Sequence, residues 1–406
     1  MTENEVNSRY RQREELRRGL IDTKERKRKS GRRKGAERLE RVLAVMTGIA
    51  AAVAVLAGLV LYLNNYDFST YSVDAELSLQ GLSASKVEAF QSGHVIIGRD
   101  SVSYFAEDKI LWSVPVVLSD PVFQKEGGYF AIYDRGGYQI HTFDASGELG
   151  KAKVSRKISG MDLSAGGVTA VFTESGDSSY ISYFDRFGSR ISVEVKTSLS
   201  QSGYPVDLAV SPDGQKLAVV FYSTDNGVGE SRLVCYDFEH GRSATSYIMG
   251  EFADYYESDT MLVRVDFFDN STAVAVGTNG LSFISFHGNG AVAREILSVK
   301  EQILSVFRSP SGIGLVTEAT GEKRVALYDN YGNEKSSFTT DAEYDKILAT
   351  DRQVLFLSGG KLRIYNISGK LRYAGELPET PVSVALSGRH GLLVNDGVML
   401  ERLTFK

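Results

Sequence analysis

The sequence predicts an all-β protein, an eight-bladed β-propeller preceded by a single transmembrane helix and a basic tail. Three observations favour this architecture: a hairpin motif that recurs about every forty residues, an uncharged apolar run near the N-terminus, and a change of net charge across that run. The 21 Tyr and 20 Phe in the 406 residues also favour strands, because aromatic residues are enriched in sheets.

Residues 1–41 form the predicted basic tail. They contain 15 basic and 8 acidic residues, a net charge of +7, whereas residues 42–406 carry a net charge of −12. Such a highly charged segment buries too little apolar surface to fold, so we expect it to be disordered or transiently helical. Its basic run is expected to lie in the cytoplasm, at the anionic lipids of the inner membrane leaflet.

The apolar run over residues 42–63, VLAVMTGIAAAVAVLAGLVLYL, contains no charged residue. A helix of this length rises about 1.5 Å per residue and crosses a hydrocarbon core of about 30 Å. Because basic residues concentrate on its N-terminal side, the positive-inside rule predicts a cytoplasmic N-terminus and an extracytoplasmic body over residues 64–406. No clear A-x-A cleavage site follows the run, which favours an uncleaved, single-pass signal anchor in the cell membrane. Small residues four apart, such as Gly48 and Ala52, leave a homodimer through the span open.

A hairpin motif recurs through residues 64–406. Each copy is an apolar strand that ends in an aromatic residue followed by Asp or Asn, with a Gly shortly afterwards. The copies are Asp144 with Gly147, Asp185 with Gly188, Asp237 with Gly241, Asp329 with Gly332 and Asn366 with Gly369. Asp and Asn side chains accept hydrogen bonds from backbone N–H groups two residues on, and Gly adopts the left-handed conformation that closes such turns. Each copy therefore predicts a hairpin between two strands.

The spacing of these hairpins predicts propeller blades. With weaker copies near Ala106 and His287, successive motifs lie 37 to 52 residues apart, and two further strand-like runs precede each one. This pattern gives seven blades, and residues 381–405 supply three more strands. The segment YSVDAELSLQ, residues 71–80, alternates like a strand but has no local partner. We expect it to complete an eighth blade and close the ring, with seven blades as the alternative.

Two of the spacings are longer than the rest and contain candidate binding loops. Insertions in repeat proteins collect in loops on one face, which is often the binding face. The candidates are Asp225, Asn226 and Glu230 in one insertion and Asp254, Tyr255, Tyr256 and Glu257 in the other. The first group has oxygen ligands of the kind that calcium prefers, but polar turns commonly share this composition, and no metal site is predicted.

No motif predicts a catalytic residue or a cofactor. The five histidines do not pair at metal-ligand spacing, and neither a G-x-S-x-G elbow nor a phosphate-binding loop occurs. The single cysteine, Cys235, lies between apolar residues and excludes an intramolecular disulfide. Carboxylates at the mouth of a propeller can act as an acid–base pair, so an enzyme stays open. The acidic body argues against nucleic acid as a ligand.

Two stretches resemble blades of known propellers. YFAEDKILWS, residues 104–113, is similar to the strand–turn–strand of a quinoprotein blade, and SPDGQKLAVV, residues 211–220, to a blade turn of WD40-like propellers. The Trp-Asp pair of WD40 repeats is absent, and Trp112 is the only tryptophan. The layout of tail, span and propeller resembles an uncharacterised family of membrane-anchored β-propellers of Gram-positive bacteria, a domain-of-unknown-function family. The resemblance implies a fold and carries no catalytic residue.

Three functions remain after the sequence analysis. The absence of a catalytic motif favours a non-enzymatic binding or scaffold module that holds an envelope protein, peptide or glycan outside the membrane. The alternatives are an envelope hydrolase or lyase that uses carboxylates at the propeller mouth, and an accessory subunit of secretion or wall assembly.

Overall fold

The computed structural model describes residues 14, 16–20, 22–24, 42–59, 62, 66–79, 84–225, 227–239, 247–252, 260–288, 290–388 and 390–406. The chain divides into two compact units, Met1–Tyr66 and Asp67–Lys406. In the first unit, helix α1 (Val42–Leu59) is 18 residues long and apolar enough to cross a membrane. The described residues between 14 and 24 are also helical.

The second unit is a β-propeller with eight four-stranded antiparallel sheets. Blade 1 consists of β2 (Ala84–Phe90), β3 (Gly93–Gly98), β4 (Ser101–Ala106) and β5 (Lys109–Pro115), and blade 2 of β6 (Pro121–Glu126), β7 (Tyr129–Asp134), β8 (Gln139–Asp144) and β9 (Gly147–Lys153). Blade 3 consists of β10 (Ile158–Leu163), β11 (Thr169–Ser175), β12 (Ser178–Phe184) and β13 (Arg190–Ser198), and blade 4 of β14 (Tyr204–Val210), β15 (Lys216–Asp225), β16 (Val228–Asp237) and β17 (Ile248–Phe252). A single helical turn, α2 (Leu199–Ser202), precedes blade 4.

The remaining blades follow the same order. Blade 5 consists of β18 (Leu262–Asp269), β19 (Thr272–Gly277), β20 (Gly280–His287) and β21 (Gly290–Ser298). Blade 6 consists of β22 (Gln302–Ser309), β23 (Gly312–Ala319), β24 (Glu322–Tyr328) and β25 (Glu334–Thr340). Blade 7 consists of β26 (Lys346–Ala349), β27 (Gln353–Ser358), β28 (Lys361–Asn366) and β29 (Leu371–Glu376). Blade 8 combines β30 (Ser383–Ser387), β31 (Gly391–Asn395) and β32 (Met399–Phe405) with β1 (Tyr71–Ser78).

The core lies between neighbouring blades, because each sheet packs both of its faces. Second strands are buried along their length, as in β19, whereas fourth strands alternate between exposed and covered positions, as in β5. Between blades 1 and 2, Phe90, Phe130 and Phe143 form a buried cluster. The Trp112 ring stacks on Phe143 with ring centres 5.7 Å apart, and its Nε1–H donates to the Ala145 carbonyl at 2.9 Å. This stacking places the only tryptophan at a blade interface.

The ring is closed by the two ends of the propeller sequence. Strand β1 pairs with β32 from Tyr71 opposite Phe405 to Ser78 opposite Met399. The Val87 N–H of blade 1 donates to Ser383 Oγ of blade 8 at 3.1 Å. The predicted eighth blade is therefore confirmed, and the seven-bladed alternative is wrong.

One face of the propeller is defined by the recurring hairpins. In every blade the third strand ends and the fourth strand begins at this face, which we call the hairpin face. In blade 8 the same position is occupied by Phe405 opposite Tyr71, so the chain joins the propeller here. The first strand of each blade also runs toward the hairpin face, since alternate strands of an antiparallel sheet reverse direction.

Candidate functional site in the central channel

The first strands of the blades surround the central channel and carry charged side chains. They are Lys86 and Glu88 on β2, Lys125 and Glu126 on β6, Asp162 on β10, Asp207 on β14, Arg264 and Asp266 on β18, Arg308 on β22 and Lys346 on β26. Because strand side chains alternate between two faces, a first strand can direct charged groups toward the channel while its other side chains pack in the core. The channel is therefore polar.

A cavity of about 280 Å³, which we call the central cavity, lies toward the hairpin face. Its charged lining residues are Glu88, Lys125, Glu126, Asp162, Arg264, Asp266 and Arg308. Apolar surface comes mainly from Phe123, Leu163, Val210, Pro212 and Phe267. The lining thus combines four carboxylates with three cations beside apolar side chains.

The channel cations bind backbone carbonyls of neighbouring blades. Arg308 of blade 6 donates to the Phe267 carbonyl of blade 5 at 2.7 Å. Lys125 of blade 2 donates to the Ala89 carbonyl of blade 1. Burial lowers the pKa of both cations, and nearby carboxylates oppose this shift. These bonds connect blades that share no strand pairing.

Two channel carboxylates make the reciprocal contact with backbone N–H groups. Asp162 Oδ2 of blade 3 accepts from Val210 N of blade 4 at 2.7 Å, and Asp207 Oδ2 accepts from Val265 N of blade 5 at 2.9 Å. Burial raises the pKa of Asp162 to about 7 and that of Asp207 to about 6, although the N–H donors partly offset this effect. Both carboxyls therefore change charge near neutral pH.

Arg264 and Asp266 form an ion pair at the cavity, with Nη2 and Oδ2 2.8 Å apart. The contact is a close ion pair without an aligned hydrogen bond, since Oδ2 is buried and no donor in the described part of the chain points at it. The Arg264 side chain is 43% exposed and that of Asp266 is 26% exposed. Burial also raises the pKa of Glu126, which Asp266 reinforces and Arg308 opposes. Charges of both signs are thus accessible from the solvent.

The predicted turn residues lie at the hairpin face and do not line the central cavity. Their side-chain oxygens accept backbone N–H groups two residues on, in Asp144, Asp185, Asp237, Asp329 and Asn366. Gly147, Gly188, Gly332 and Gly369 all have positive φ. Gly241 lies outside the described residues. The local geometry is that of a closed Asx turn.

The predicted binding loops are only partly described. Asp225 ends β15, and Glu230 lies exposed on β16. The side chain of Asp225 and the whole of Asn226, Asp254, Tyr255, Tyr256 and Glu257 lie outside the described residues. Their role in binding stays a prediction.

No sequence motif marks the channel residues. The signal that could have found them is a charged residue within the first strand of a repeat, as in VFQKE and VRVDFF. Which of these side chains share a cavity depends on the closure of the ring, which sequence spacing does not report. Within the described part of the chain, no group of three His, Cys, Asp or Glu residues could hold a metal ion.

Comparison with solved structures finds matches at low identity and with TM-scores below 0.5. BamB from Moraxella catarrhalis is 13% identical with a TM-score of 0.49, and covers 83% of this chain and 100% of its own. A functionally unknown protein from Desulfotomaculum acetoxidans is 11% identical with a TM-score of 0.47, and covers 75% and 99%. Hsv2 from Kluyveromyces lactis is 11% identical with a TM-score of 0.46, and covers 73% and 100%.

Sequence comparison identifies the protein family of this chain. None of the curated proteins matches the chain. Residues 64–400, which include nearly all of the propeller, match a family of unknown function, DUF5711. The chain therefore belongs to the DUF5711 family.

Proposed function

We propose that this protein is a membrane-anchored, non-enzymatic binding module whose propeller lies outside the cytoplasm and binds a peptide segment of an envelope protein. The single observation that carries the proposal is the central cavity, where Arg264 and Asp266 remain partly exposed beside Glu126 and Arg308. A peptide presents charges of both signs and apolar groups together, and this lining offers partners for all three.

The proposed placement rests on the N-terminal part of the chain. Helix α1 is long and apolar enough to cross a membrane, and the basic residues precede it. The positive-inside rule then assigns the tail to the cytoplasm and the propeller to the other side. Accessibility of an engineered cysteine to a membrane-impermeant maleimide in intact cells tests this topology, with Val117, whose side chain is 86% exposed, as the labelling position.

The binding proposal is tested by site-specific photocrosslinking in intact membranes. A photoreactive residue at Pro212, which lines the central cavity, is expected to capture a defined peptide that the same residue at Val117 does not capture. The double variant Arg264→Gln/Asp266→Asn removes the ion pair without changing net charge and should abolish this product.

The matched control for that variant is Arg135→Gln/Asp120→Asn. This pair also has a nitrogen–oxygen contact, of 3.0 Å, but lies on the surface with side chains 64% and 65% exposed. The control should leave the crosslink unchanged. A product that survives the cavity variant, or is lost equally in both variants, would contradict binding in the central cavity.

One observation favours a second function. Asp162 has a pKa of about 7 and lines the same cavity, and a carboxyl that titrates near neutral pH suits general acid catalysis. An envelope hydrolase or lyase would then use Asp162 with a second cavity carboxylate such as Glu126. Incubation with peptidoglycan fragments between pH 5 and 8 tests this function. Turnover that Asp162→Asn abolishes would favour the enzyme, and no turnover by the wild-type protein would count against it.

A further inference from the structure

A second cavity lies on the outside of the ring, between blades 2 and 3. It has a volume of about 350 Å³, and we call it the interblade groove. One wall is the connection from Lys153 to Arg156, and the other is the blade 3 surface that includes Ser182 and Arg190. It contains none of the residues that line the central cavity, so it is a separate site.

The strand register explains why cations line this groove. Phe184 belongs to the buried cluster between blades 2 and 3, so Ser182 and Tyr180, two and four residues earlier on β12, face the same side. Their cross-strand partners on β13 are Arg190 opposite Phe184, Glu194 opposite Ser182 and Lys196 opposite Tyr180. Arg190, which lines the groove, and Lys196, which is not among its lining residues, therefore both face blade 2. Their backbones are about 13 Å apart along the strand direction.

The groove cations are largely uncompensated. Arg190 is paired with Glu194, and that carboxylate also accepts a hydrogen bond from Ser182 Oγ at 3.2 Å. Among the described residues, no carboxylate forms an ion pair with Lys153, Arg156 or Lys196. This excess of positive charge occurs on residues 42–406, whose net charge is −12. Local positive charge on an acidic body concentrates anions at the groove.

Tyr180 orders two of these cations. The Arg156 guanidinium carbon lies 3.9 Å from the centre of the Tyr180 ring, and Lys196 Nζ lies 5.6 Å from it. A guanidinium stacked on an aromatic ring keeps its N–H edge available for hydrogen bonds. Arginine's planar fork matches the oxygens of phosphate.

We propose that the interblade groove binds a phosphodiester polymer. Phosphate chemistry follows from the Arg156 guanidinium, whose N–H edge is left available above the Tyr180 ring. A polymer follows from the different positions of the charged groups, because Arg190 is held at Glu194 whereas Lys196 lies beside the Tyr180 ring. Successive phosphates of a linear chain can contact Arg190, Arg156 and Lys196 in turn.

The test is the binding of fluorescently labelled poly(glycerol phosphate) to the full-length protein in phosphatidylcholine nanodiscs. The double variant Arg156→Gln/Lys196→Gln should weaken binding at least tenfold. It should also reduce the slope of log K against log salt concentration by about 1.4, because the loss of two phosphate contacts lowers the number of counterions released on binding. A urea unfolding transition that matches that of the wild-type protein, followed by Trp112 fluorescence, verifies that the variant is folded.

The matched control is Lys300→Gln/Lys361→Gln, which removes the same charge from exposed lysines outside the groove. The basic tail is identical in all of these proteins, so its own attraction for polyanions cancels in the comparison. The control should change affinity less than twofold. Equal losses in the two double variants, or no binding by the wild-type protein, would overturn the proposal.

Two further competition experiments distinguish the chemical source of the phosphate group. Inorganic phosphate at the same phosphate concentration should fail to displace the polymer, and equal displacement would overturn the polymer in favour of a single-anion site. Phosphatidylglycerol vesicles should compete less well than the polymer. If the groove variant loses vesicle binding more than polymer binding, the lipid headgroup replaces the polymer as the ligand.

Discussion

The central cavity and the interblade groove are both charged, but they use their charges differently. In the cavity, Arg308 and Asp162 hydrogen-bond to backbone groups of the next blade, and their burial shifts their pKa values. At the groove, Arg156 stacks on the Tyr180 ring, Lys196 Nζ lies 5.6 Å from the ring centre, and no described carboxylate pairs with either cation. The comparison separates charges that hold blades together from charges that remain available to a ligand.

The largest effect on the stability of the propeller is expected from a change of pH, and it arises at Asp162 in the central channel. The pKa of Asp162 is raised from 3.8 in the unfolded reference to about 7 in the fold. A raised pKa of an acid means that the folded state binds the proton more tightly. Its stabilising contribution is complete below the unfolded pKa and is lost as the pH rises through about 7. Asp162 should therefore stabilise the propeller on acidification from pH 8 to pH 5, whereas His94, whose pKa burial lowers from 6.5, acts in the opposite direction.

The variant Asp162→Asn should remove most of this pH dependence. The amide stays neutral and its oxygen still accepts the Val210 N–H, so the variant should be more stable than wild type at pH 8, by at most about 4 kcal/mol. The advantage should shrink as the pH falls. Urea unfolding followed by Trp112 fluorescence measures how the free energy of unfolding changes with pH in the wild type and in the variant. The exposed control Asp351→Asn should follow wild type, and an equal shift in that control would rule out Asp162 as the source.

The next effect concerns the contact between blades 2 and 3. A Cβ at Gly188 would lie 2.2 Å from the Lys151 carbonyl oxygen, and the residue has φ of +84°. Gly188→Ala should therefore lower the free energy of unfolding by about 3 kcal/mol, through backbone strain and steric overlap. Urea unfolding measures the loss.

Gly176→Ala is the matched control for the glycine experiment. Gly176 also has positive φ, +57°, but a Cβ added there would meet no atom within 4 Å. Only the strain of the left-handed conformation remains, about 1 kcal/mol. Equal losses at the two glycines would show that the approach of Gly188 to blade 2 contributes nothing to stability.

The smallest effect on stability is expected at the groove itself. Arg190→Gln removes an ion pair whose side chains are 59% and 35% exposed, so the free energy of unfolding should change by less than about 1 kcal/mol. The same substitution should weaken binding of the phosphodiester polymer. A loss of stability as large as that of Gly188→Ala would assign Arg190 a structural role instead.

The fold was predictable because its determinants are local. The turn at Asp329 and Gly332, for instance, needs only a side-chain acceptor and a residue that tolerates positive φ, and both are visible in the sequence. Strand β1 was predictable because it alternates and lacks a neighbour to pair with. The central cavity was not, because Glu126 and Asp266 are 140 residues apart and meet only when the ring is closed. The groove cations Arg190 and Lys196 share a face by simple alternation, but their partners on β12 depend on a register shift between Ser182 and Tyr183 that sequence spacing does not report.

The closure of blade 8 has a consequence for biosynthesis. Strand β1 is translated before every other strand of the propeller, and its partner β32 is translated last. Throughout synthesis β1 has an unpaired edge, and the first strands of the ring have no closed channel around them. Exposed strand edges and apolar surface make such intermediates prone to aggregation. A nascent chain of this protein is therefore expected to need protection by a chaperone until β32 has been synthesised.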